Sequence, residues 1–218
     1  MTTLNDDSSI LKNHCAVSRE TEERLILYVA LLRKWQMRIN LISPSTLPHI
    51  WRRHILDSAQ LYALLPDSVR VGLDFGSGAG FPGLVLAILG VPDMHLVESD
   101  SRKVAFLREA SRVTGASITL HECRIEAVPP FFADVITARA LASLPELLAF
   151  SLPFLGKTSH CLFLKGKTVA DELTEAARYW TMEINHVPSV TDREGVILQL
   201  SKIRRRDTPL VTHHDRFA

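Results

Sequence analysis

Hydrophobic positions fall into two regimes along the chain. Up to about residue 66 they recur at helical spacing: Leu25, Tyr28, Leu32, Trp35 and Ile39 step by three and four residues between Ser18 and Leu41, laying one apolar stripe along an amphipathic helix. Ser18 stands where an N-cap belongs, and Glu20, Glu22 and Glu23 lie near the positive end of the helix dipole. A second helix is predicted from Ser45 to Leu65, with Leu47, Trp51, Ile55 and Tyr62 on its buried side and Pro66 closing it. From Val69 onward the pattern changes to short apolar strands, at about 70–74, 94–98, 117–121, 133–138, 159–164 and 195–201. Helices starting near Pro82, Ser101, Ser143 and Thr168 separate them. The last helix, Val169 to Trp180, precedes two β-like segments, about 183–187 and 195–201, divided by Pro188 to Glu194. That ending predicts a closing hairpin. There is no internal repeat.

A βαβ series of this kind predicts an α/β fold: a mostly parallel, doubly wound, Rossmann-like sheet covered on both faces, with ligands at the carboxyl ends of the strands. The terminal antiparallel strand favours the class I methyltransferase variant over a dinucleotide-binding fold. The chain divides into a helical N-terminal extension (1–66), the sheet domain (67–203) and a basic, polar C-terminal tail (204–218).

The first predicted strand runs into VGLDFGSGAGFPG, residues 71–83, which packs Gly76, Gly78, Gly80 and Gly83 into eight positions. Such a loop lets the backbone turn tightly and approach a ligand. It reads in two registers. Gly78, Gly80 and Gly83 fit G-x-G-x-x-G, with Glu98 twenty residues after Gly78, as in dinucleotide folds. Asp74, Gly76, Gly78 and Gly80 fit the acid-x-G-x-G-x-G loop of S-adenosylmethionine-dependent methyltransferases. The second register uses more of the residues present and accounts for Asp74, which would otherwise face a pyrophosphate.

Composition narrows little further. The chain has 218 residues, 46% hydrophobic and 22% charged, which fits one globular domain with an appendage. The net charge of +1 neither requires nor excludes nucleic acid. Cys15, Cys123 and Cys161 are scattered, so reduced thiols and a cytoplasmic protein without a zinc site are expected. The segment MTTLNDDSS lacks the character of a signal peptide, and the longest apolar run, Gly83 to Val91, is nine residues, so no membrane partner is expected.

Side chains at the strand ends carry the candidate chemistry. Glu98, after the second strand, can accept hydrogen bonds from both ribose hydroxyls. After the third, Ile125 and Glu126 in Cys123-Arg124-Ile125-Glu126 are candidates for reading the adenine edge, the alternative being a helical turn with Glu126 exposed. After the fourth, Arg139-Ala140-Leu141-Ala142-Ser143 occupies the substrate-facing position. Val128-Pro129-Pro130-Phe131 precedes that strand and lacks a leading Asn or Asp, so it reads as a loop rather than an amine-methylation motif. No cysteine stands in a Pro-Cys setting, which argues against covalent methylation of a base carbon. Arg33, Lys34 and Arg38 on the first helix and Arg52, Arg53 and His54 on the second form a candidate phosphate-contacting face. Arg53 and Asp57 also make a plain i,i+4 pair. Lys165 and Lys167 flank Gly166 at the rim after the fifth strand, and Arg204, Arg205 and Arg206 precede His213 and His214.

Several of these segments, in order, resemble the bacterial small-subunit ribosomal RNA guanine-N7 methyltransferases, formerly called glucose-inhibited division protein B. They are WQMRINLI (35–42), RHILDS (53–58), LDFGSGAGFPG (73–83), Arg124 to Glu126, ARALASL (138–144) and LKG (164–166). Glu98 stands where that family commonly has aspartate. The resemblance implies a class I fold with a helical extension, S-adenosylmethionine as cofactor, contacts to it at Gly76, Phe81, Ile125, Glu126 and Arg139, and a guanine in 16S rRNA of the small subunit as target. A monomer is expected. A methyltransferase for a small molecule or protein, and a dinucleotide-dependent oxidoreductase, are the competing readings.

Overall fold

The computed structural model describes residues 7–12 and 14–207. After a single helical turn, α1 (Ser9–Lys12), the extension forms α2 (Arg19–Gln36), whose first turn is capped by the Ser18 hydroxyl accepting from the Thr21 amide at 3.1 Å. The helix stops at Gln36, short of Leu41, because the Gln36 amide turns back on the chain that follows. Its Oε1 accepts from the Leu41 and Ile42 amides at 2.9 and 3.0 Å, and its Nε2 donates to the Ile42 carbonyl at 2.9 Å.

The single helix expected over 45–65 is instead four short pieces. These are a 3₁₀ segment at Pro44–His49, a π-helical turn at Trp51–Leu56, the short α3 (Asp57–Ala59) and a 3₁₀ turn at Tyr62–Leu64. Pro48 denies the ladder a donor, and the wider π turn slips the apolar stripe. His54, Ser58 and Leu61 are therefore buried while Tyr62 is exposed.

The βαβ series follows: β1 (Val71–Phe75), α4 (Gly83–Leu89), β2 (Asp93–Val97), α5 (Ser101–Thr114), β3 (Ile118–His121), β4 (Ala133–Arg139), α6 (Leu144–Ser151), β5 (Leu155–Lys165), α7 (Val169–Tyr179), β6 (Trp180–Pro188) and β7 (Val196–Arg205). The seven strands order as β3-β2-β1-β4-β5-β7-β6. β1 to β5 run parallel, β7 is antiparallel to β5, and β6 pairs antiparallel with β7. The strand order reverses between β1 and β4, so the loops after these two strands meet at the switch point. Arg204 and Arg205, expected in the tail, are the last residues of β7 and pair with Thr181 and Trp180. His213 and His214 lie outside the described residues.

Apolar burial forms two clusters. In one, Leu25, Tyr28 and Leu32 of α2 pack with Leu84, Leu96 and Phe106, so the extension and the sheet share a core. In the other, Leu73 and Phe75 pack with Leu147, Phe163 and Trp180. Gly83 sets the approach of α4 to the sheet: a Cβ there would stand 2.3 Å from Leu96 Cδ2 and 2.7 Å from Asp74 Cβ. Gly83→Ala is expected to cost about 1–3 kcal/mol, read as a lower urea midpoint at unchanged slope.

Candidate functional site

The loop between β1 and α4 is built on an acid beneath it. Asp74 is fully buried. Its Oδ1 accepts from the Thr137 hydroxyl of β4 at 2.7 Å, its Oδ2 from the Gly83 amide at 3.2 Å, and its backbone carbonyl from the Ser77 hydroxyl at 3.2 Å. Burial pushes its carboxyl up to about 6, against the opposing pull of these hydrogen bonds and of Arg139. Asp74, expected among the cofactor contacts, instead ties β1, β4 and α4 together beneath the loop and does not line the cavity above.

Above it the backbone makes three left-handed steps, at Gly76, Gly78 and Gly80, with φ of 63°, 58° and 97°. The Gly78 amide donates to Glu98 Oε2 at 2.9 Å, and the Asp100 amide to Oε1 at 2.8 Å. The twenty-residue interval between Gly78 and Glu98 is thus a direct contact across the ends of β1 and β2. Each carboxylate oxygen keeps lone-pair capacity for another donor. A Cβ at Gly78 would meet only the Gly76 carbonyl, at 3.8 Å, so the outer face of the loop is open to a ligand. Gly80 is buried below, where the Tyr28 hydroxyl of α2 donates to the neighbouring Ala79 carbonyl.

A cavity of about 860 Å³ opens over this loop, within the range of small-molecule sites. Gly76, Gly78 and Phe81 form one side, residues 138–143 a second, and Arg53, His54 and Asp57 of the extension a third. Arg139 reaches across it. Its Nη1 donates to the Arg53 carbonyl at 3.1 Å and to Asp57 Oδ2 at 3.2 Å, and its Nη2 to His54 Nδ1 at 3.0 Å. Its guanidinium lies 5.0 Å from the centre of the Phe81 ring, on which His54 also stacks at 4.9 Å. Burial, then Arg139 and Arg53, press the His54 pKa down to about 3. The hairpin loop before β7 completes the wall through Ser189, Asp192 and Gly195.

Several expected roles change. His54 is buried and engaged with Arg139, not displayed on a solvent face for phosphate. Arg53 pairs with Asp192 at 3.1 Å rather than with Asp57, which Arg139 takes. Arg52 donates to the Val190 carbonyl at 3.2 Å. Lys165 is not a phosphate contact: its side chain is 8% exposed, and its Nζ donates to Glu172 Oε2 at 2.6 Å and to the Ala142 carbonyl at 2.7 Å. Lys167, Arg33, Lys34 and Arg38 are exposed.

Ile125 begins a 3₁₀ turn, Ile125–Ala127, with Glu126 exposed, and neither lines the 860 Å³ cavity. Cys161 is sealed inside β5 with its thiol pushed up to about 12 by burial, and Cys15 and Cys123 do not line the cavity. Asp57, Thr46 and the 189–195 loop were missed from the sequence; RHILDS contained Asp57 but offered only the helical partner Arg53. Among the described residues no His, Cys, Asp and Glu cluster could hold a metal, and no helix is long and apolar enough to cross a membrane.

An acid-anchored glycine loop at the switch point, facing Arg139 across one cavity on a sheet closed by an antiparallel hairpin, defines a class I methyltransferase. The solved structure of a putative O-methyltransferase from Klebsiella pneumoniae superposes with a TM-score of 0.57, covering 89% of this chain and 95% of its own, at 13% identity. The chain belongs to the rRNA small subunit methyltransferase G family, whose model matches residues 21–199. A ribosomal RNA small subunit methyltransferase G from Rhodospirillum centenum is 58% identical over 190 residues, 87% of this chain and 88% of that protein. One from Paramagnetospirillum magneticum is 56% identical over 189 residues, 87% of this chain and 92% of that one. The methyl donor of this class is S-adenosylmethionine.

Asp74 yields a pH signature. Its carboxyl titrates near 6 in the folded protein and near 3.8 unfolded, so the folded state holds the extra proton between these values. Stability from this residue is full below about pH 4 and is lost as pH rises through about 6. The loss is about 3 kcal/mol by proton linkage. Asp74→Asn removes the titration: the difference in unfolding free energy, wild type minus variant, is expected to fall by that amount from pH 4 to 7. A pH-independent difference contradicts it.

Proposed function

We propose that this methyltransferase of small-subunit ribosomal RNA transfers a methyl group to N7 of a guanine in 16S rRNA, as a monomer in the cytoplasm, by direct in-line attack. The observation that carries the reading is one cavity that joins the glycine loop to Arg139 and contains no free acid-base pair. Asp57 is paired with Arg139, His54 is a hydrogen-bond acceptor, and Glu172 is paired with Lys165. Guanine N7 suits such a site because its lone pair is free at neutral pH and needs no base to expose it.

S-adenosylmethionine supplies an electrophilic sulfonium methyl. Gly76, Gly78 and Phe81 would hold its methionine end, Glu98 its ribose, and Ile125 and Glu126 its adenine. Arg139, with two N–H donors beyond those bonded to protein among the described residues, would hold its carboxylate. The residues' work is orientation, which can lower a barrier by roughly 7–11 kcal/mol at its upper end. Arg53 on the cavity wall and the exposed Lys167, with Arg33, Lys34 and Arg38 on α2, would be the cations that meet phosphate.

Purified protein incubated with methyl-labelled S-adenosylmethionine and small subunits lacking N7-methylguanine is expected to place the label in 7-methylguanosine after digestion of the RNA. Label in another nucleoside overturns the N7 assignment; label only in protein or small molecules overturns the RNA assignment. Arg139→Ala is expected to lower kcat/KM about 10- to 100-fold, the worth of a charge-assisted hydrogen bond. RNA affinity should fall steeply as salt rises, and Lys167→Glu should flatten that slope.

A further inference from the structure

We propose that His54 is a positioning residue that, acting only as a hydrogen-bond acceptor, orients Arg139 and so determines which of its donors face the cavity. The inference rests on the reading of Arg139 as part of the methyl-transfer site.

The direction of each hydrogen bond follows from the chemistry of the partners. A guanidinium can only donate, so the 3.0 Å contact from Arg139 Nη2 makes His54 Nδ1 an acceptor. The ring proton then sits on Nε2, which lies 2.8 Å from the Thr46 hydroxyl and donates to it. The Thr46 hydroxyl in turn donates to the Ser43 carbonyl at 2.9 Å. The chain Arg139 to His54 to Thr46 to Ser43 runs one way, and each member satisfies the next. Protonating His54 would set an N–H against the guanidinium N–H and break it.

The surroundings reinforce this state. His54 is 8% exposed. The charged groups beside it are Arg139 from the end of β4 and, on its own segment, Arg53, whose partner is Asp192, and Asp57, which Arg139 and the Thr191 hydroxyl share. Phe81 supports both His54 and Arg139 on one ring, so the imidazole fixes the guanidinium edgewise while the ring fixes it from the face. With Nη1 taken by Asp57 and the Arg53 carbonyl, and one Nη2 proton by His54, Nε–H and the other Nη2–H remain for a ligand. Without His54 the guanidinium keeps its Nη1 bonds and the Phe81 face but loses its Nη2 anchor, and can rotate in the plane of the ring contact away from that presentation.

Two measurements test the proposal. Nitrogen NMR of the histidine-labelled protein is expected to show His54 as the neutral Nε2–H tautomer, unchanged from pH 5 to 8; the Nδ1–H tautomer, or titration within that range, overturns it. S-adenosylmethionine affinity is then measured in a double-mutant cycle. His54→Phe keeps the ring stack but removes both nitrogens, and is expected to weaken binding about tenfold, the worth of one hydrogen bond, but less than twofold when added to Arg139→Ala. Equal losses in both backgrounds would mean a general structural role and overturn the proposal. His54→Asn, whose side-chain oxygen can accept where Nδ1 does, is expected to recover most of the affinity. If the wild-type protein binds no S-adenosylmethionine, the functional reading fails, and the tautomer alone decides whether the His54 contact holds.

Discussion

A carboxylate at the centre of the sheet governs the arrangement around it. Burying Asp74 without partners would cost several kcal/mol. The protein offsets that cost with a hydroxyl from β4 and an amide from the start of α4. Those bonds draw α4 tight against β1, which only Gly83 permits, and hold the strand ends on either side of the switch point in fixed register. The glycine loop emerges from this junction with its outer face open, and Glu98 ties it down from β2. The cofactor loop is thus held from below by one acid and from the side by another.

The extension is the less expected half of the site. α2 pins the loop through Tyr28, and the π turn and the start of α3 deliver His54 and Asp57 to Arg139. The hairpin loop reaches the same segment from the other end of the chain: Asp192 meets Arg53, Ser189 meets Gln60, and the Thr191 hydroxyl meets Asp57. An isolated surface ion pair such as Arg53–Asp192 contributes little to stability. Its place here is geometric, since it joins the extension to the 189–195 loop along the cavity wall.

Much of this was legible beforehand. The change of hydrophobic period near residue 69 located every strand of the sheet, because two-sided burial leaves short apolar runs with clear boundaries. The glycine spacing identified the loop, and Arg139 followed from its place at the end of β4. The second helix was misread because a π turn and a proline break the periodicity that defines a helix in sequence, which placed His54 on the wrong face. Lys165 was misread because its partner, Glu172, lies on a helix whose approach depends on tertiary packing. Asp57 was assigned the neighbour four residues away, while its actual partner, Arg139, is 82 residues away.

The sheet order gives β7 a role out of proportion to its length. β6 precedes β7 in the chain but pairs only with β7, and of the two it is β7 that pairs with β5. Without β7, β6 has no strand to join, and the 189–195 loop that lines the cavity loses its second leg. The edge of β5 is covered by this ten-residue strand. β6 reaches the sheet only through β7, so a single strand carries the whole antiparallel edge.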